Sequence, residues 1–230
     1  MDLNICGDII NNDYEWIYNY LDMECVTPAK VKDVISKCKD NETLNVYINS
    51  GGGDVFAGAE IYTLLSNYNN VKIQIVGLAG SMASIIAMSG YCEMSPVSQM
   101  MVHNVMSNAY GNYLDMEHKA DVLRNASETI ANAYIKKSGM SKEEIKSLMD
   151  NETWLSPERA LELHLIDKIS DFNNNNTISM VASSGMSISN EFIKKMNDKR
   201  IKATMELNLL KLKGETLWTE NNIYKNVKSY

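Results

Sequence analysis

Two short apolar runs, each closed by glycine and small residues and each leading into a helical pattern, constrain this chain most. Leu44 to Ile48 (LNVYI) is rich in β formers and runs through Asn49-Ser50 into Gly51-Gly52-Gly53. Val55 to Tyr68 follows, with Ala59, Tyr62 and Leu65 at helical spacing. Val71 to Val76 (VKIQIV) alternates as a strand does, and Gly77 is expected to end it. Ser81 to Met88 reads as a helix of small residues, and Gln99 to His103 as another short strand. Asn112 to Lys137 is a long helix, with Leu114, Val122, Leu123 and Ile130 among its apolar positions. Ser141 caps a helix through Met149, with Glu144 at the capping-box position, and Ser156-Pro157 starts another. Strand–helix alternation of this kind specifies an α/β domain. No repeat of solenoid period is visible.

Composition narrows the class of function. The 230 residues carry a formal net charge of −7. That argues against a general nucleic-acid-binding surface, which wants a basic face. The most apolar stretch, Ile73 to Met88, is broken by Gln74, Gly77, Gly80, Ser81 and Ser84 and is too short to cross a bilayer. MDLNICGDII has neither the basic nor the apolar region of a signal peptide. Cys6, Cys25, Cys38 and Cys92 form no CxxC pair and no zinc-ligand spacing, so they read as reduced thiols of a cytosolic protein. Composition shifts near residue 171, where Asn173 to Asn176 and then Ser183-Ser184-Gly185-Met186-Ser187 suggest a linker over 171–189. Residues 190–212 read as a helix capped by Ser189 or Asn190, with Leu209 and Leu210 among its apolar positions. The expected organisation is therefore a domain over 1–170, a linker over 171–189 and a helical extension over 190–230.

Four places could carry chemistry. Gly51-Gly52-Gly53 lets a backbone turn sharply and approach a ligand closely. A phosphate loop would need Lys-Ser/Thr after it, where Asp54-Val55 stand, and a GxGxxG pattern is absent. A tight turn and an oxyanion-binding backbone both remain open. Ser81 opens a helix after a strand, so it is either an N-cap or a nucleophile at a sharp turn. The GxSxG elbow is not matched. His103, in MMVHNV, is either a half-buried core residue or a general base. His118 reads as solvent-facing, and His164 as outward or packed at a turn. Asp150 and Glu152, ahead of a Trp154 expected to be buried, either orient an imidazole or form an acidic helix end and loop.

Taken together, INSGGGDVFAGAEIYTLL (48–65), VGLAGSMASIIAMSG (76–90), MMVHNV (100–105, with Ala109-Tyr110-Gly111-Asn112 after it) and MDNETWLSPERALELHLIDKI (149–169) resemble the ClpP-like serine peptidases of the crotonase-like superfamily. More closely they resemble the branch found in phages and prophages as head-maturation proteases. The similarity spans about residues 3–170, and four blocks agree in order and spacing. The resemblance implies a ClpP/crotonase-like fold of repeated β-β-α spiral units, a protruding handle helix and a C-terminal helical extension. It implies a triad in which Ser81 is the nucleophile, His103 the base and Glu152 the acid, with Asp150 in reserve. The backbone N–H groups of Gly53 and Met82 would form the oxyanion hole. Gly52, Val55 and Met106 would border an extended substrate strand. No metal or cofactor is implied.

The implied partners are a polypeptide, such as a phage capsid or scaffold precursor, and further copies of the chain in a sevenfold or stacked ring. The setting would be the bacterial cytoplasm or a phage procapsid. An unfoldase ATPase is not expected, because the short N-terminus lacks the axial segment through which cytosolic relatives meet one. The linker is a candidate self-cleavage site. Three departures stand out: Gly80 where Ala is usual, Gly51 where Pro is frequent, and His164 where Gly is usual, so that His164 is expected to avoid positive φ. Two other functions stay in view, a ClpP-like ring that binds and organises partners with little proteolysis, and an acyl-CoA enzyme of the same superfamily.

Overall fold

The computed structural model describes residues 1–171 and 190–212. The first stretch contains β1 (Asp2–Ile9), a 3-10 turn (Asn12–Tyr14), α1 (Glu15–Tyr20), β2 (Cys25–Val26), α2 (Pro28–Lys37), β3 (Leu44–Gly53), α3 (Val55–Ser66), β4 (Val71–Gly80) and α4 (Met82–Ala87). It continues with β5 (Tyr91–Met94), β6 (Gln99–Val102), α5 (Tyr113–Ser138), α6 (Lys142–Asp150), β7 (Thr153–Leu155), α7 (Pro157–Glu162) and β8 (Lys168–Ile169). The second stretch is one helix, α8 (Asn190–Leu212), which belongs to a separate compact unit. The expected linker, apart from its first residue, the cap Ser189 and the part of the expected helical extension beyond residue 212 lie outside the described residues.

One eight-stranded sheet organises the first unit, in the order β2-β1-β3-β4-β5-β8, with β6 pairing β4 and β7 pairing β6. Every pairing is parallel except β6 with β7. Parallel strands are reached by crossovers, which is why helices intervene along the chain. β3 buries Leu44, Val46 and Ile48 on one face at two-residue period, each worth about 1.5–3 kcal/mol of apolar burial. α4 is buried along its whole length, against α3, β3 and β4. Its small residues allow that close approach.

Both long strands outrun the expectation from sequence. β3 continues through the three glycines, and Gly77 does not end β4, which runs on to Gly80. The cause is a bulge. The register between β3 and β4 shifts after Ile48, and the Asn49 side chain enters the ladder there, Oδ1 accepting from the Leu78 amide at 3.1 Å. A Cβ on residue 77 would lie 2.4 Å from that oxygen, so glycine is what the bulge requires. The bulge also divides β4 between two partners: Lys72–Ile75 pair with β5, and Leu78–Gly80 pair with β6.

The helix starts follow their caps. Asn112 and Asp115 form a capping box at α5, as do Ser141 and Glu144 at α6, while Ser156 caps α7 ahead of Pro157. α5 buries Ser127, Ala131, Ala133 and Tyr134 towards its C-terminal end and exposes Leu114, Met116 and Val122 in its first half. Lys137, in its last turn, bonds to the Gly90 carbonyl and the Asp167 carboxylate, tying α5 to the loop before β5.

Two further expectations are corrected. His164 has φ +56°. It is the residue after the α7 C-cap in a Schellman motif, where the Leu165 amide donates to Ala160 O at 2.9 Å and the His164 amide to Leu161 O at 3.0 Å. That closure demands the left-handed conformation whatever the side chain. Trp154 is 52% exposed rather than buried. It lies on a three-residue strand at the sheet margin, where only the flanking Leu155 turns inward.

Candidate active site

The end of β4 and the end of β6 lie side by side, with Gly80 opposite Met101. This parallel register puts the residues just beyond them together. His103 Nε2 lies 2.7 Å from Ser81 Oγ. Ser81 has φ +52° and ψ −124°, and its side chain makes no capping bond. A non-glycine residue held there is strained, and the surroundings must over-determine it. Here they do: the Ser81 amide donates to Met101 O at 2.9 Å, and the Ser81 carbonyl accepts from the Ser84 amide at 3.0 Å. The hydroxyl is therefore turned away from α4 and towards the imidazole. The N-cap reading of Ser81 gives way, because its oxygen caps nothing.

His103 is half-buried, and burial lowers its pKa below the ordinary imidazole value, with the Glu152 charge opposing. The ring is thus neutral at pH 7. A neutral ring accepting from Ser81 at Nε2 carries its proton on Nδ1. Protonation would remove the lone pair that faces Ser81. Ser81 reactivity is therefore expected to rise with pH through a midpoint below about 6.5. Glu152→Gln removes the opposing charge and should lower that midpoint further. The pH profile of labelling by a serine-directed phosphonate checks both, and a wild-type midpoint above the ordinary histidine value would sink the burial argument.

The carboxylates are placed differently from the imidazole. Among the described residues, no hydrogen bond joins Glu152 or Asp150 to His103. Glu152 is exposed, at φ +44°, as the left-handed residue that closes α6, its amide donating to Met149 O at 3.2 Å. It reaches His103 through its charge alone. Asp150 accepts from Asn104 Nδ2 at 2.8 Å and Lys146 Nζ at 2.6 Å, which hold its carboxyl below the usual range. Asp150 thus anchors the residue after His103, a contact that the sequence did not single out.

The glycine segment lies against Ser81. A Cβ on Gly52 would come within 2.7 Å of Ser81 Cβ and 3.0 Å of the Met82 nitrogen. The Gly52 amide donates to Ser50 Oγ, whose hydroxyl reaches back to Gly7 O on β1, and the Asp54 amide donates to Ile9 O. Gly53, at φ +148°, ends β3 opposite Ile9 of β1. Met82 is the first residue of α4, so its amide has no carbonyl within the helix. Val55 is half-buried at the start of α3, and Met106 is 71% exposed in the non-regular segment after His103.

All four cysteines are free, burial raises the thiols of Cys6 and Cys25, and it pushes Cys92 up to about 12. Among the described residues no three His, Cys, Asp or Glu side chains cluster as a metal site, and no helix is long and apolar enough to cross a membrane.

Comparison with known proteins identifies the family. The family model described as Clp protease matches residues 33–173. The chain is 33% identical over 132 residues to an ATP-dependent Clp protease proteolytic subunit of Mesostigma viride, covering 56% of this chain and 58% of that one. It is 31% identical over 134 residues to a protein of the same description from Deinococcus radiodurans, covering 56% of this chain and 66% of that one. It thus spans less than two thirds of the length of either relative. The matched region runs from α2 to just beyond β8 and includes the Ser81–His103 pair, so the chain belongs to the Clp protease family.

Proposed function

We propose that this chain is a serine endopeptidase of the ClpP type, with residues 1–170 as the peptidase domain and 190–230 as a helical extension. The observation that carries the reading is the 2.7 Å contact between Ser81 Oγ and His103 Nε2, made by a serine that caps no helix. His103 takes the Ser81 proton as the oxygen attacks a peptide carbonyl. The Gly53 and Met82 amides receive the oxyanion, each such donor being worth about 10²–10³ in rate. His103 then returns the proton to the leaving amine, and water hydrolyses the acyl-enzyme. Glu152 stabilises the imidazolium by its charge. Gly52, Val55 and Met106 border the extended substrate.

The finer reading is maturation of phage or prophage structural precursors by a homo-oligomeric ring in the bacterial cytoplasm or procapsid. It rests on the likeness of the Glu152-Thr153-Trp154 block to the phage branch. A specific observation favours one alternative: among the described residues no carboxylate bonds to the imidazole, as would suit a ring that mainly binds and organises partners.

The test is intact-mass measurement after incubation with a fluorophosphonate, wild type beside Ser81→Ala. A single adduct on wild type alone is expected, with no ATP or partner added. No adduct on folded wild type would overturn the peptidase reading in favour of the binding ring.

A further inference from the structure

Behind Ser81 lies a buried hydroxyl pair. Ser84 and Tyr134 are 0% and 2% exposed, and their oxygens are 2.7 Å apart. Ser84 Oγ also lies 2.6 Å from Ser81 O and 3.0 Å from Met101 O. Proton counting fixes the direction of these bonds. Both carbonyls can only accept, and Ser84 has one proton. If Ser84 gave that proton to Tyr134, the carbonyls would lose this donor and the buried phenol proton would have no acceptor. The arrangement that uses every proton runs from Tyr134 to Ser84 and from Ser84 to the carbonyls of Ser81 and Met101. Burial raises the Tyr134 pKa, which keeps the phenol a donor.

We propose that Ser84 and Tyr134 are positioning residues for the nucleophile, a two-hydroxyl relay that locks the strained Ser81 turn to the strand β6 that leads into His103 and to helix α5. This rests on the serine-peptidase reading. Three elements meet at one oxygen. The Ser81 carbonyl sets the ψ of the nucleophile, and Met101 lies two residues before His103 while also accepting the Ser81 amide. Without the Ser84 hydroxyl, the Ser81 turn keeps its amide bonds but loses the tie that shares a donor with β6. Ser81 Oγ and His103 Nε2 can then drift apart. Misplacement of reacting groups by about 1 Å can cost on the order of 10²-fold. Tyr134 touches neither Ser81 nor His103 in any recorded bond, so its influence passes through Ser84.

The experiment measures fluorophosphonate labelling of wild type, Ser84→Ala, Tyr134→Phe and the double variant, each shown to be folded by circular dichroism. The maximal labelling rate and the half-saturating probe concentration are read separately. Ser84→Ala is expected to lower the maximal rate about 10–100-fold. Tyr134→Phe should lower it about fivefold, the worth of one hydrogen bond. The half-saturating concentration should hold in both. The double variant should match Ser84→Ala alone, because the phenol acts only through the hydroxyl that is already missing. Wild-type rates in the single variants, losses that multiply in the double, or a change confined to half-saturation would each overturn the relay. If Ser84→Ala does not fold, Tyr134→Phe decides by the same two readings, since it removes one oxygen and no volume of consequence. Unlabelled wild type is a different result, and it removes the peptidase reading itself.

Discussion

His103→Ala is expected to slow acylation of Ser81 by about 10³–10⁴-fold, with the protein still folded. Among the described residues, the imidazole is the one group in hydrogen-bond reach of Ser81 Oγ that can take a proton near neutral pH. An alcohol without such a base is a weak nucleophile. The acid limb of the pH profile should vanish with the side chain, because that limb is the titration of His103. Stability should change little by comparison, since His103 is half-buried and sits just past the end of β6. Two carboxylate variants calibrate the result. Glu152→Gln should cost less than tenfold, as a charge without a hydrogen bond to the ring is worth less than an orienting partner. Asp150→Asn should retain most of the rate, because Asn104 and Lys146 already occupy that carboxylate. Labelling of His103→Ala at the wild-type rate would mean that the Ser81–His103 contact is not the catalytic one. Labelling kinetics under excess probe give all three comparisons.

How much of this was legible beforehand depends on whether the cause was local. The helix starts at Ser141 and Ser156 were read correctly because a cap needs only its own first turn. The ends of β3 and β4 were misread because glycine normally punctuates a strand. What overrode that was Asn49, 28 residues from Gly77, supplying the ladder bond that the bulge exposes. His164 illustrates the same limit from the other side. A family that usually places glycine there signals a left-handed backbone. The substitution suggested that the conformation had changed, yet the Schellman closure of α7 holds and the side chain bears the strain. Trp154 looked like core by composition, and its exposure follows from β7 lying at the margin of the sheet.

At the site, Ser81 and His103 were named through the resemblance of four sequence blocks to a family, since taken alone Ser81 read equally as an N-cap and His103 as a core residue. The hydroxyl pair behind them could not be named. Ser84 is one small residue among several in α4, and Tyr134 is one apolar position on a long helix. Nothing within either segment indicates that their oxygens meet. The acid was ambiguous in sequence and stays divided in structure, with Asp150 bonded to the neighbour of the base and Glu152 acting on the base from a strained helix end.

Gly52→Ala is expected to abolish Ser81 labelling and to destabilise the fold by about 3 kcal/mol or more, whereas Gly51→Ala should be neutral to within about 0.5 kcal/mol. The two glycines are adjacent, so the contrast isolates geometry from composition. Gly52 has φ +104°, a conformation that alanine adopts only under strain. Its new Cβ would stand 2.7 Å from Ser81 Cβ and 2.8 Å from Gly80 O. Two of its three nearest atoms are backbone, so no flexible side chain can yield, and either β3 or the Ser81 turn must shift. A shift in β3 breaks the bond from the Gly52 amide to Ser50 Oγ, and with it the tie from Ser50 to Gly7 O on β1. A shift in the turn separates Ser81 from His103. Gly51 has nothing within 4 Å of the position a Cβ would take. Any residue that accepts its backbone should therefore be tolerated there, proline included if its φ and amide bonding permit. Urea melts read the stability half of the prediction and phosphonate labelling the activity half. Equal tolerance at both positions would mean that the strand end does not press on the nucleophile, and that the close approach of β3 to Ser81 is not what holds the strained turn in place.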